Sequence, residues 1–175
     1  MNFKELVAMT MNRCNVDDDD DQAIAVIKLG LNDGYKEIAK HDKLIMTSKV
    51  PIIMGKVHLP ENISELISTE PVLNNSDKIE GRTIITSLDK KIIEVTYSYI
   101  PDEMIKDNDI PEIAPKFHST LINFGCYSYY LFKKKIELAN SYLVSFNRTV
   151  DSIITEASMP LQVEEVYRIW VEQQR

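Results

Sequence analysis

Lys91-Ile92-Ile93-Glu94-Val95-Thr96-Tyr97-Ser98-Tyr99-Ile100 is rich in β-branched and aromatic residues, the types that suit a pleated, half-buried surface. With Arg82-Thr83-Ile84-Ile85-Thr86 before it, the stretch predicts the two strands of a hairpin turning around Asp89. Further upstream, Val50-Pro51-Ile52-Ile53-Met54 and Lys56-Val57-His58-Leu59 are short apolar runs, broken by Gly55 and closed by Pro60, that read as strand, turn and strand. Ile63, Leu66 and Ile67, followed by Pro71-Val72-Leu73, fit either a turn of helix or an irregular strand, and Asn74-Asn75-Ser76-Asp77 a loop. The middle of the chain is therefore expected to form a small antiparallel sheet.

On both sides of that sheet the apolar period lengthens to three or four. Asn2 and Glu5 form a capping-box pattern ahead of Phe3, Leu6, Val7, Thr10 and Cys14, a short amphipathic helix. A second helix runs through Ile24, Ile27, Leu31, Tyr35 and Ile38 to near His41; carboxylates of the run Asp17 to Asp21 cap its start, where unpaired N–H groups favour negative charge. Gly30 and Gly34 in that helix are explained by the close crossing of another helix. Past the proline-punctuated link 101–115, Phe117, Leu121, Phe124, Ser128 and Leu131 make the stripe of a third helix ending at Lys133-Lys134-Lys135. Ala139, Tyr142, Phe146, Val150 and Ile153 mark a fourth helix, paired with it as an antiparallel hairpin.

Pro160 ends that pattern, and a short apolar stripe follows it. The expected class is α+β: two N-terminal helices, a small antiparallel β-sheet in the middle, a C-terminal helical hairpin, and an extended C-terminal tail with a short helix. Residues 1–157 make one helix-sheet-helix domain. Residues 158–175 make a tail expected to dock on a partner through Leu161, Val163, Val166, Tyr167, Ile169 and Trp170.

Composition narrows the classes. The 175 residues are 44% hydrophobic and 27% charged, which excludes disordered, collagenous and disulfide-scaffold chains and leaves one domain able to build its own core. With 20 Lys and Arg against 27 Asp and Glu, the net charge is −7, the wrong sign for a protein whose task is gripping phosphates. Cys14 and Cys126 lie far apart with no C-x-x-C, as expected of buried free thiols in a reducing compartment. The N-terminus lacks the apolar run of a signal peptide, and no stretch approaches the length of a membrane span, so a soluble protein made in the cytoplasm is expected.

Motifs for chemistry are sparse. Counted as an EF-hand from Asp17, the acidic run places Gln22 where Gly is needed and Lys28 where Glu is needed. Asp107, Asp109, Glu112 and His118 are the nearest approach to the convergent carboxylates of a metal-dependent nuclease, although loop and cap roles account for them more simply. His41, His58 and His118 show no ligand spacing. Neither a nucleophile elbow nor a Walker loop occurs, and with only five glycines the chain has little material for a phosphate cradle. No catalytic residue, cofactor or metal is expected.

The order of features carries more. Two N-terminal helices lead to Leu59-Pro60-Glu61-Asn62 and Pro71-Val72-Leu73; the central strands end in Tyr97-Ser98-Tyr99-Ile100-Pro101. Asp107-Asn108-Asp109-Ile110-Pro111-Glu112-Ile113-Ala114-Pro115-Lys116-Phe117-His118 then opens a two-helix hairpin with Ala139, Tyr142 and Phe146 in an A-x-x-Y-x-x-x-F spacing. Over residues 1 to about 155 this resembles the head–tail adaptor (connector) proteins of tailed bacteriophages, with Glu61-Asn62 standing where that family's L-P-x-D segment carries its aspartate. The resemblance implies a non-enzymatic virion protein that joins the portal to the neck, as a ring, commonly a dodecamer, around the DNA channel. Its partners would be the portal, a neck or tail-terminator protein, and itself. A tail-completion protein bound to the tail tube is the alternative. DNA would slide past without specific binding, helped by channel-facing carboxylates for which Asp17, Asp18, Asp19, Asp20, Asp21, Asp107, Asp109 and Glu112 are the candidates.

Overall fold

Asn2 and Glu5 start the first helix as their spacing predicts. The Asn2 side-chain oxygen accepts the Glu5 N–H at 2.9 Å and Glu5 Oε2 accepts the Asn2 N–H at 3.0 Å, pairing donors that the start of a helix leaves open. Helix α1 (Phe3–Cys14) ends on Asn15, whose left-handed φ of 53° closes the helix. The computed structural model describes residues 1–42, 44–74 and 76–158. Helix α2 (Asp21–Asp42) follows, capped by Asp20 Oδ1, which accepts the Ala23 N–H at 3.0 Å.

Six strands come next: β1 (Ile45–Pro51), β2 (Lys56–His58), β3 (Ile63–Glu70), β4 (Lys78–Glu80), β5 (Thr83–Ile85) and β6 (Ile92–Tyr99). They form two three-stranded antiparallel sheets, ordered β1-β6-β3 and β2-β5-β4, rather than the single expected sheet. One apolar cluster joins them, with Val57 and Ile84 from the smaller sheet against Ile93, Val95, Tyr97 and Tyr99 from the larger.

The hairpin expected around Asp89 does not form. β5 has β2 and β4 on its two edges and β6 has β1 and β3, so neither keeps an edge for the other. Residues 86–91 instead carry the chain from one sheet to the next. β5 turns back on β4 through Gly81, at φ +60°, a backbone region that glycine enters without steric cost. The segment left open between helix and strand is β3. Its register slips twice, between Ile63 and Glu65 and between Leu66 and Ser68, so Ile63, Leu66 and Thr69 oppose Tyr99, Tyr97 and Val95. The two bulges space the inward residues three apart and imitate a helical period.

A 3-10 turn at Pro115–Phe117 leads into α3 (His118–Phe132), and the turn Lys133–Lys135, with Lys134 at φ 58°, joins it to α4 (Ile136–Ser158). α3 is the hub: it packs against α1, α2 and α4. On α2, a Cβ at Gly30 would fall 2.5 Å from Ser128 Cβ, and one at Gly34 would fall 2.7 Å from Phe124 Cβ, which is the close crossing that the two glycines predict. The hub position also rotates the buried face of α3 away from the expected stripe. Leu121, Ile122, Gly125 and Cys126 are inside, whereas Leu131 is 45% exposed. Ala139, Phe146 and Val150 of α4 are buried as expected, with Phe124 and Phe146 in an edge-to-face contact of 4.9 Å.

The same packing brings Cys14 of α1 and Cys126 of α3 together as buried free thiols that hydrogen-bond each other. Donation to Cys14 and burial hold the Cys126 thiol well above its ordinary range.

Candidate functional site

The link 101–114 is a strap tied to three elements. Phe3 N–H and Lys4 N–H donate to the carbonyls of Asp109 and Asp107, at 2.7 and 3.0 Å. Buried Asn32 of α2 makes a reciprocal pair with Met104: its Nδ2 donates to the Met104 carbonyl at 3.0 Å and its Oδ1 accepts the Met104 N–H at 2.9 Å. Tyr35 Oη accepts the Glu112 N–H at 2.8 Å, and the Tyr99 hydroxyl donates to Glu112 Oε2. Burial pushes the Tyr35 phenol up to about 12, and the bond to the Glu112 carboxylate does the same for Tyr99, so both remain protonated at neutral pH.

This strap decides what the acidic candidates do. Asp109 Oδ2 accepts the N–H groups of Ile105 and Lys106, both at 2.7 Å, and these bonds hold its carboxyl below the ordinary aspartate range. Glu112 serves Tyr99. Asp20 caps α2 and pairs with Lys133 at 3.1 Å; the Ala23 N–H and then Lys133 lower its pKa. Asp17, Asp18, Asp19, Asp21 and Asp107 are exposed. Asp109 and Glu112 line one shallow depression beside Tyr35 and Glu103, Asp107 lines another beside Lys4 and Lys28, and the run 17–21 lines neither. His118 is buried, its Nε2 donating to the Ile113 carbonyl at 3.1 Å and its Nδ1 lying 3.2 Å from the Met1 nitrogen. Among the described residues no three His, Cys, Asp or Glu side chains are placed to hold a metal ion.

Asp109 has a testable pH signature. Its folded pKa is depressed, so the stability that it contributes is present above the unfolded value, about 3.9, and is lost as pH falls through the lower folded value. Asp109→Asn retains an acceptor without a titration. Urea unfolding followed from pH 7 to pH 3 is expected to show a shallower acid loss in the variant than in the parent; parallel curves would remove Asp109 from the acid response.

The apolar surface is more distinctive than the acidic one. A groove of about 500 Å³ runs between α2 and α3, walled by Val26, Leu29, Phe124, Tyr127, Leu131 and Phe132. Leu29 is 60% exposed and Phe132 43%. Phe124, Ser128 and Leu131 of the stripe expected for the third helix form one wall of it. Exposed apolar side chains also occur in the strand region: Met54, 97% exposed, and its neighbour Ile53 at the turn before β2, Val72 after β3, and Ile79 in β4. Two signals in the sequence pointed to this surface: the third helix carries more apolar residues than one face can bury, and Met54 precedes the turn glycine.

The expected docking residues Leu161, Val163, Val166, Tyr167, Ile169 and Trp170 lie outside the described residues. No described helix is long and apolar enough to cross a membrane. No protein-family model matches the chain, and no curated protein does.

Proposed function

We propose that this chain is a structural adaptor of a tailed-phage virion, joining the portal at the capsid vertex to the neck as a ring around the DNA channel. One observation carries the proposal: besides the apolar α2/α3 groove, this small domain leaves large apolar side chains exposed on its strand region, Ile53 and Met54 at the turn before β2 among them. Exposed apolar patches on small domains mark interaction surfaces. Two unlike surfaces suit head-to-tail contacts, which close into rings when the rotation allows. The helix-sheet-helix order and the resemblance of residues 1 to about 155 to connector proteins support the same reading. The net charge of −7 and the exposed carboxylates at Asp17, Asp18, Asp19 and Asp21 suit a surface past which DNA moves.

Co-expression with the portal protein of the same virus, followed by negative-stain imaging, tests this. A ring of the chain seated on the portal is the expected result. Attachment to isolated tail tubes in place of the portal would make it a tail-completion protein. Attachment to neither would overturn the adaptor reading.

A further inference from the structure

The α2/α3 groove is an apolar channel flanked by charge. Among the described residues, Asp33 is the one charged residue in its lining, and Lys133, Lys134 and Lys135 follow Phe132 in the turn at one end of it; Lys133 is paired with Asp20 and Lys135 lies over the Tyr130 ring, which leaves Lys134 without such a contact. Helix–helix recognition in such a channel needs anchors at i, i+3, i+4 and i+7. Residues 159–175 contain that spacing at Val163, Val166, Tyr167 and Trp170, with Glu164 and Glu165 between the first two anchors. Tyr and Trp are the residue types that dominate interface energy.

We propose that this groove receives the segment Val163–Trp170 of a second copy of the chain. The placement of donor and acceptor argues for a second copy. α4 runs antiparallel to α3 and delivers Ser158 toward the Pro115–Phe117 end, while the groove lies along Phe124–Phe132 toward the opposite end. α3 is 15 residues, so those ends are about 20 Å apart. A segment leaving one end of a molecule and a groove at the other make a head-to-tail contact that repeats from copy to copy. The chain's own segment would have to reverse at Pro160 and run back across the bundle. The inference deepens the proposed function and rests on its ring-forming part. It concerns contact between copies, so it fails or holds independently of what the ring sits on.

The test uses the full chain carrying Leu131→p-benzoylphenylalanine, and separately Leu29→p-benzoylphenylalanine, irradiated with and without portal. The expected product has twice the chain mass and a cross-linked peptide within residues 163–170. Its yield falls about tenfold or more in Trp170→Ala, with an unchanged urea midpoint excluding unfolding as the cause. Glu164→Lys with Glu165→Lys lowers the yield, and adding Lys134→Glu with Lys135→Glu restores it. Cross-links within one chain, cross-links between copies through another segment, cross-links to the portal alone, or no cross-link under either condition would each overturn the proposal. Loss of portal attachment with the cross-link retained would overturn the adaptor reading and leave this one standing.

Discussion

Asn32→Ala is expected to lower the unfolding free energy by about 2–5 kcal/mol, because it strands two buried backbone groups, each costing about 1–3 kcal/mol when left without a partner. The groups are the N–H and carbonyl of Met104, which Asn32 alone serves through its amide at 2.9 and 3.0 Å. Met104 is buried with Ile113 in the helical core, so the bonds hold a strap that also supplies carbonyls to the start of α1. Against the 5–15 kcal/mol typical of a whole domain, the loss is large. Asn32→Asp keeps the acceptor, removes the donor and buries a carboxylate, so it is expected to be at least as harmful at neutral pH. Asn123→Ala, which removes exposed bonds to Arg13 and Ser145, is the control and should cost under about 0.5 kcal/mol. Urea unfolding at pH 7 decides the matter. A change in Asn32→Ala no larger than in the control would mean that the strap contributes nothing through this pair.

Gly30→Ala is the second large effect. Alanine normally improves a helix by about 1 kcal/mol over glycine. Here its Cβ would meet Ser128 Oγ at 2.4 Å and Ser128 Cβ at 2.5 Å. The hydroxyl can rotate away; the Cβ is fixed to the backbone of α3. The helices must separate, and overpacking of this kind costs about 1–3 kcal/mol; set against the helix gain of about 1 kcal/mol, a net loss of up to about 2 kcal/mol is expected. Ser128→Gly in the same chain removes both contacts and leaves Gly125 Cα at 3.4 Å. The double variant should therefore recover most of the loss in a urea titration. Failure of Ser128→Gly to rescue would show that the α2/α3 crossing is not what requires glycine at position 30.

Helices were legible from local rules. The capping box at Asn2 and Glu5, the Asp20 cap and the lysine turn all act within a few residues of sequence, and each is where its pattern places it. Strand pairing was not. Lys78-Ile79-Glu80 is an exposed three-residue strand with no apolar alternation to announce it, yet it takes the edge of β5 that the expected hairpin required. In β3 the bulges moved the inward residues to a spacing of three, and period alone could not tell that from a helix turn.

The acidic candidates divide in the same way. A carboxylate's residue type says that it can accept hydrogen bonds; which N–H it meets depends on the path of the strap. Asp109 and Glu112 accept hydrogen bonds within the molecule, from Ile105, Lys106 and Tyr99, although Glu112 is exposed, like Asp17, Asp18, Asp19 and Asp21.

Residue order alone established the α+β class, the helix starts and stops, the acidic balance and the need for a close crossing at Gly30 and Gly34, because each rests on interactions between near neighbours or on composition. Which strands share a sheet, the meeting of Cys14 with Cys126, the clamp of Asn32 on Met104 and the opening of a groove beside Leu131 came from packing between distant segments. α3 can bury only the sides that α1, α2 and α4 cover, and the apolar residues left between α2 and α3 become surface.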